Sequence, residues 1–330
     1  MGETMRAVVI TEPGDPEVLE VRNVPRPDPG PGDVLIRVAA SGVNRADLLQ
    51  RRGRYPVPDG YPPDIPGLEF AGEVVSLGAG VDDVERGRRV MGITGGGGYA
   101  EFLAAPVGTL VPVPPDMDLV DAGAVPEVFM TAFDAVFVQE RLVSGETLLI
   151  HAVGSGVGTA ALQLAKASGA VVIGTSRTPD KLDRAAALGL DHPVSGGDAW
   201  ADGVLDVTDG RGVDVILDLV GGPYLEGNQR VLAERGRHIV VGVPGGASAT
   251  VDLRALMGRR ASIRGTVLRA RALDEKVALT RAFVDRVLPL LEGGRVGPVI
   301  DRVLPASDAA EAHRAMEANE NFGKLLLTWS

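Results

Sequence analysis

The run His151-Ala-Val-Gly154-Ser155-Gly156-Val157-Gly158-Thr159 carries the strongest chemical signal in the chain. It falls where an apolar strand passes into a helix. Backbone N–H groups left open at a helix N-terminus, together with the helix dipole, attract an anion, and glycines let a pyrophosphate approach the backbone. The G-x-G-x-x-G pattern is incomplete, because Thr159 stands where the third glycine belongs. Close packing of strand on helix would use the same glycines. The surrounding βαβ pattern favours phosphate binding by Gly154, Ser155, Gly156, Val157 and Gly158.

The end of the next strand selects the dinucleotide. A carboxylate there binds the ribose 2′-hydroxyl of NAD, whereas a 2′-phosphate needs small or cationic residues. Here the strand ends in Gly174-Thr175-Ser176-Arg177, Lys181 follows one helical turn later, and no carboxylate precedes Asp180. Arginine and lysine give a phosphate charge-assisted hydrogen bonds, and Ser176 adds a neutral one. NADPH is the expected cofactor; the less favoured alternative is that Arg177 and Lys181 are ordinary solvated helix-end residues.

Other chemistries have little support. There is no cysteine, which removes disulfides, a thiolate nucleophile and Cys-ligated zinc. No two of the four histidines (His151, His192, His238, His313) lie at metal-ligand spacing. A net charge of −11 repels phosphate backbones and argues against nucleic acid. No apolar run reaches the ~20 residues that span a bilayer. The polar opening Met1-Gly-Glu-Thr-Met-Arg shows no leader pattern, so a cytoplasmic protein without a membrane partner is expected. Lysine occurs only at positions 166, 181, 276 and 324, which reads as a composition bias.

The elements that must position these residues change along the chain. The first third reads as short strands and turns: Val34–Val38, Gly72–Val75, Gly87–Met91, and Tyr99–Leu103 after the glycine run Gly95 to Gly98. From Val120 to Gln139 the apolar spacing predicts a helix, with Asp118 or Asp121 as N-cap. Strands and helices then alternate: Thr147–Ala152, a helix Val157–Ser168 closed by Gly169, Val171–Thr175, a helix Pro179–Leu188 closed by Gly189, Val213–Asp218 and His238–Gly242. Apolar strands alternating with capped helices predict a doubly wound parallel sheet. A long helix Leu273–Leu291, a strand Val299–Leu304, a helix Ala306–Ala318 and a strand Gly323–Thr328 follow. The parallel domain thus interrupts another. At 330 residues two cores are expected, because single cores seldom grow beyond about 250–300 residues. The expected division is 1–122 with 268–330 for a β-rich catalytic domain, and 123–267 for the cofactor domain.

Several segments together resemble the zinc-free quinone oxidoreductase (zeta-crystallin-like) branch of the medium-chain dehydrogenase/reductase superfamily. They are Gly42-Val-Asn-Arg-Ala-Asp47, Pro66-Gly-Leu-Glu-Phe-Ala-Gly-Glu73, Gly97-Gly-Tyr-Ala-Glu101, Pro126-Glu-Val-Phe-Met-Thr131, Ser155-Gly-Val-Gly158 and Met316-Glu-Ala-Asn-Glu-Asn-Phe-Gly-Lys324. The likeness runs through nearly the whole chain. It implies an α/β protein in which a GroES-like β-rich catalytic domain accompanies a Rossmann domain. Zinc-dependent relatives place a cysteine where this chain has Asn44, and Gly-His-Glu where it has Gly67-Leu68-Glu69. No metal is therefore expected.

The resemblance also implies roles for particular residues. Asn44 would contact the nicotinamide ribose and the substrate. Tyr55 would line the substrate cleft and could hydrogen-bond a developing oxyanion, or merely form its wall. Thr131 would contact the nicotinamide end of the cofactor and join Asn44 and Tyr55 as a catalytic residue; Gly242, Val243, Thr266 and Leu268 would pass the nicotinamide, and Asn321 would close over the cofactor. Asp47 reads as a buried carboxylate holding the loop, and His151 as a strand-end histidine with a satisfied hydrogen bond. His192, His238 and His313 have no acidic neighbour in sequence that singles them out, and Tyr99 either reaches the cleft or packs in the core. Trp200 and Trp329 read as packing residues. Leu49 replaces a second tyrosine of many relatives, and Ser195-Gly196-Gly197 replaces an aromatic at the adenine ribose.

The expected activity is NADPH-dependent reduction of small soluble quinones. Whether electrons pass singly or as a hydride is open. The alternatives are an NADPH-dependent reductase of activated carbon–carbon double bonds (enals, enones or 2-enoyl thioesters), and a non-catalytic NADPH-binding sensor or structural protein. Arg45, Arg51, Arg52 and Arg54 could suit a coenzyme A tail, but surface solvation explains them more simply. A homodimer through an apolar edge strand at Ala261–Leu268 is the expected assembly, with a tetramer as the alternative.

Overall fold

The computed structural model describes residues 2–329. Seven strands, β1 (Thr4–Ile10), β2 (Leu19–Pro25), β3 (Asp33–Gly42), β4 (Glu69–Leu77), β5 (Arg89–Ile93), β6 (Phe102–Pro106) and β7 (Leu110–Pro112), come first. Helix α1 (Arg45–Arg51) lies among them, and α2 (Leu119–Ala122) and α3 (Pro126–Phe133) follow. The chain then alternates through β8 (Thr147–Ile150), α4 (Gly156–Ala167), β9 (Val171–Ser176), α5 (Pro179–Ala187), β10 (His192–Ser195), α6 (Trp200–Val207), β11 (Val213–Asp218), α7 (Leu225–Val231), β12 (Leu232–Val240), α8 (Leu253–Arg259) and β13 (Ser262–Gly265). It ends with α9 (Leu273–Arg286), α10 (Leu288–Glu292), β14 (Ile300–Pro305), α11 (Ala309–Glu317) and β15 (Lys324–Thr328).

These elements form two compact units. Unit 1 comprises Met1–Met130, Leu268–Gly294 and Pro298–Ser330, and unit 2 Thr131–Val267 with Arg295–Gly297. In unit 1 a seven-stranded sheet runs β14-β15-β3-β4-β5-β7, with β6 on β3, and β1 and β2 pair separately. Alternate residues of β3 (Val34, Ile36, Val38) enter one core with Phe70, Val74, Val90 and Leu103. Val43, Leu48, Tyr99, Leu325 and Leu327 belong to a second core, beneath Ala309, Ala312 and Met316 of α11. The register of β15 on β3, with Leu326 opposite Gly42, brings the start of β15 to the end of β3.

Unit 2 holds a six-stranded sheet in the order β10-β9-β8-β11-β12-β13, with every pair parallel. The winding reverses between β8 and β11, and in open α/β sheets ligands bind beyond the strand ends at such a switch point. The glycine loop follows β8 there.

The structure departs from the sequence reading in three places. The helix expected over Val120–Gln139 is α2, α3 and a π-helical turn Asp134–Gln139. Pro126 opens α3, and the residue before a proline is steered away from helical geometry. The helix expected over Leu273–Leu291 breaks after Arg286. Pro289 in the first turn of α10 has no N–H to continue the ladder. The strand expected at Tyr99–Leu103 starts only at Phe102, because Tyr99 turns into the core and Ala100 makes a lone bridge to Ala7.

Candidate functional site

In unit 1 the ends of β3, β4 and β15 converge on a buried polar cluster. Lys324 Nζ donates to Glu69 Oε1 (2.6 Å), Asn44 Oδ1 (2.7 Å) and the Val43 carbonyl (3.0 Å). Asn44 Nδ2 donates to the same Glu69 oxygen at 2.9 Å and to the Gly42 carbonyl at 3.2 Å. Glu69 Oε2 accepts the backbone N–H of Glu127 at 2.8 Å. Gly42 leaves the necessary room, since a Cβ there would lie 2.8 Å from Glu69 Cδ and 2.8 Å from Lys324 Cε. The donor set does not fit a divalent metal: an ammonium already engages Glu69 Oε1 and Asn44 Oδ1. Among the described residues no three His, Cys, Asp or Glu side chains group for a metal.

Behind this cluster Asp47 is fully buried and holds the loop. It accepts the backbone N–H of Asn44 (2.8 Å) and of Gly67 (3.1 Å) and the Tyr99 hydroxyl (3.1 Å). Burial pushes its carboxyl up to about 6, against those hydrogen bonds and Lys324. Tyr99 is fully buried and also lies 3.3 Å from His313 Nε2, so it belongs to the core and does not reach a cleft. His313 was not distinguished by its sequence neighbours, yet its Nδ1 lies 3.1 Å from Arg51 Nη1. Burial, with Arg51 adding to it, depresses the imidazole to about 3. Arg51 likewise corrects the surface reading of this arginine group: it is fully buried and paired with Glu317. Arg45 and Arg52 reach Asn319 and Glu317.

A second cluster surrounds Tyr55. The Arg269 guanidinium stacks on its ring, 4.9 Å from the centroid. Burial raises the phenol pKa, Glu127 adds to the rise, and Arg269 opposes it. Glu127 is only partly buried by its surface, but desolvation and then Glu69 push its carboxyl up to about 8, against Lys324. Leu268 is buried beside Arg269, and Asn321 is buried with its amide donating to the Gly323 carbonyl at 2.8 Å. Leu49 is exposed.

In unit 2 Ser155 caps α4, its hydroxyl accepting the Gly158 N–H at 3.1 Å. Gly158 allows close approach: a Cβ would lie 2.6 Å from both the Ala152 and Val153 carbonyl oxygens. Ala152 is left-handed (φ 51°), an uncommon conformation for a residue with a side chain. The close packing expected of these glycines is thus present, in a turn that opens onto the N-terminus of α4. Gly154 is buried, while Gly156 and Val157 are half-buried at the helix start. Ser176 closes β9, and Arg177, which follows it, is exposed. Lys181 sits in the first turn of α5. Gly242 and Val243 follow β12, with Val243 exposed. Thr266 accepts from Gln139 Nε2 at 2.6 Å, and Thr131 is buried in α3.

His151 is fully buried, with Thr175 Oγ1 at 2.9 Å and Asn228 Oδ1 at 2.6 Å, and burial lowers its pKa to about 4. That agrees with a satisfied strand-end histidine. His238, unremarkable in sequence, pairs with buried Asp218 at 3.0 Å. Trp200 packs against His151 and Tyr224, whose rings also touch each other. Tyr224 donates its hydroxyl to the Gly196 carbonyl at 3.2 Å, which brings an aromatic ring to the segment where Ser195-Gly196-Gly197 lacks one.

Sequence reasoning did not single out Lys324, Glu127, Arg269 or Lys276. The scarcity of lysine is a signal that could have found Lys276 and Lys324; no signal in the sequence marks Glu127 or Arg269.

Known proteins agree with this architecture. The alcohol dehydrogenase GroES-like domain family matches residues 30–115, and the zinc-binding dehydrogenase family matches residues 156–283. The quinone oxidoreductase of Rattus norvegicus is 33% identical over 98% of this chain and 97% of its own. A crystal structure of an NAD-dependent alcohol dehydrogenase superposes with a TM-score of 0.89 at 34% identity, covering 99% of this chain and 100% of that one. The CurK enoyl reductase does so with 0.87 at 25%, covering 99% and 100%. The chain is also 32% identical to a phthioceranic/hydroxyphthioceranic acid synthase of Mycobacterium tuberculosis, but spans only 15% of that protein's length. Fold and matches define membership of an oxidoreductase family, one that binds a nicotinamide cofactor. The chain belongs to the medium-chain dehydrogenase/reductase superfamily, in its quinone-oxidoreductase-like branch.

Proposed function

We propose that this chain is a zinc-independent NADPH:quinone oxidoreductase acting on small soluble quinones. The observation that carries the reading is the Lys324 ammonium held between Glu69 and Asn44, in a cluster whose donors suit an ammonium and not a metal. A quinone is already electrophilic and needs no Lewis acid. When bound, NADPH supplies the reducing equivalents, and the protein supplies position and electrostatics.

The residues present fit that cofactor. The open N–H groups at the start of α4 suit a pyrophosphate, in the loop Gly154 to Gly158. Ser176 and Arg177, with no carboxylate on the strand end, suit a 2′-phosphate, and Lys181 lies on the helix that follows. Thr131, Gly242, Val243, Thr266, Leu268 and Asn321 are proposed to border the nicotinamide, with Asn44 and Tyr55 toward the substrate. Residues 1–122 with 268–330 would serve catalysis and 123–267 the cofactor, in a cytoplasmic homodimer.

A second reading is favoured by Glu127. A carboxyl that keeps its proton to about pH 8 could protonate carbon, as a reductase of activated double bonds requires. Following NADPH oxidation with 1,4-benzoquinone, a naphthoquinone and an α,β-unsaturated ketone, with NADH in parallel, separates the two. Quinone turnover with NADPH, and little with the enone, is expected. Enone turnover alone would transfer the assignment to the second reading, and inertness with both would leave a cofactor-binding protein.

A further inference from the structure

Four lysine and arginine side chains of unit 1 are more than nine-tenths buried: Arg51, Arg269, Lys276 and Lys324. A buried charge is tolerated when it is paired and costly when it is not. Arg51 is paired with Glu317, and Lys324 with Glu69. Among the described residues Arg269 and Lys276 have no carboxylate partner. Arg269 Nε donates to the Gly95 carbonyl (2.8 Å) and Nη2 to Gln50 Oε1 (2.6 Å), both neutral. Its Nη1 is buried with no hydrogen-bond partner at all. Lys276 Nζ donates to the carbonyl of Arg269 itself at 2.8 Å, which uses one of its three protons. Two buried cations without an ion-pair partner are therefore adjacent.

Among the described residues the carboxyls that act on them through space form no ion pair with either. Glu127 acts on both, but it holds its proton to about pH 8. Asp47 also acts on Arg269, yet its oxygens are committed to Asn44, Gly67 and Tyr99. Desolvation lowers the pKa of both Arg269 and Lys276, the direction expected of cations lacking a counter-ion.

We infer that Arg269 and Lys276 form a receptor for an oxyanion on the ligand, and that the ligand is a planar conjugated anion: an ionised hydroxyquinone or an α,β-unsaturated carboxylate. The unused Nη1 and the spare Lys276 protons offer donors for one small oxyanion, and a guanidinium matches coplanar oxygens. The flat character follows from the surroundings. The Tyr55 ring lies over Arg269, and the Tyr61 ring lies 5.9 Å from Lys276 Nζ. Gly95 admits that second ring, since a Cβ there would lie 2.5 Å from its carbons. Both tyrosines are half-buried on a segment without helix or strand, so a ligand reaches Nη1 by moving a ring and leaves a tyrosine absorbance change. The inference rests on the proposed reading for placing Tyr55 toward substrate; the charge argument is independent of it.

The test is equilibrium binding to the full chain without cofactor, read by calorimetry and tyrosine difference absorbance. Two matched pairs are used: 2-hydroxy-1,4-naphthoquinone against 1,4-naphthoquinone, and cinnamate against cinnamamide. In at least one pair the anion is expected to bind about ten-fold tighter or more, a preference that Arg269→Met and Lys276→Met each reduce. The pair that shows it identifies the source of the oxyanion. Equal binding, or no binding, of both members in both pairs to the native protein overturns the inference, whether or not the variants fold. So does a preference that survives both substitutions. Absence of quinone turnover in the separate NADPH assay would strike the quinone assignment and leave this result standing.

Discussion

Lys324, at the start of the last strand, donates to Glu69, at the start of β4, at 2.6 Å across a separation of 255 residues. Both side chains are almost wholly buried. The sheet register makes the meeting possible, and Gly42 provides the space. Removing one member of a buried pair strands the other charge. Lys324→Met is expected to cost about 3–5 kcal/mol of stability, whereas Lys324→Met with Glu69→Gln should recover much of that loss. Urea unfolding midpoints of the two singles and the double check this. Additive losses would show that the pair is not energetically coupled.

The loop after β8 has no room for a side chain at Gly158. Gly158→Ala would press a methyl against two carbonyl oxygens and shift the open N–H groups of α4. NADPH affinity should fall by about ten-fold or more, since even one misplaced hydrogen bond to a charged group is worth about 1.5–3 kcal/mol. Nicotinamide fluorescence titration measures it. Unchanged affinity would show that the pyrophosphate does not use this turn.

Much of this was legible because periodicity and punctuation agree over residues 147–218. Apolar β8, the glycine loop, and the α4 and α5 stops at Gly169 and Gly189 leave little freedom, and both glycines take positive φ. The first third was harder. β2 is largely exposed and charged (Leu-Glu-Val-Arg-Asn-Val-Pro), so it pairs with β1 without an apolar signature. Helix α1 is short and ends in a buried arginine, Arg51, an arrangement that composition does not suggest. The polar clusters were the least legible of all. Arg51 and His313 are 262 residues apart, and Arg269 and Gln50 are 219 apart, so only the fold brings them together. Pattern reading assigns such charges to solvent by default.

Arg177 is exposed at the end of β9 and forms no ion pair among the described residues, so a 2′-phosphate would meet no competitor for it. Arg177→Ala should lower kcat/KM for NADPH by about 10- to 100-fold while leaving NADH within a factor of about 3, and Ser176→Asp should shift the preference toward NADH. Steady-state kinetics with both cofactors decides the point. Equal losses for the two would assign Arg177 to the fold and not to the phosphate.

Glu127 makes stability depend on pH in a defined direction. Its folded pKa of about 8 lies above the ordinary 4.5, so between those values the folded chain keeps a proton that the unfolded chain has released. Stability attributable to this group is therefore complete at low pH and falls as pH rises toward 8. His151 and His313, depressed to about 4 and 3 from 6.5, act oppositely: their contribution is lost as pH falls below 6.5. Asp47, raised to about 6, acts in the same sense as Glu127 over a lower window. The histidines and Asp47 are common to the native protein and to Glu127→Gln, so the difference between the two isolates Glu127. Between about pH 5 and pH 8.5 the native melting temperature should fall further than that of the variant, by about 2–4 °C for each kcal/mol involved. Calorimetric scans at both pH values measure this. Parallel pH profiles for the two proteins would mean that Glu127 is ionised at neutral pH, and would withdraw the proton on which the double-bond reading depends.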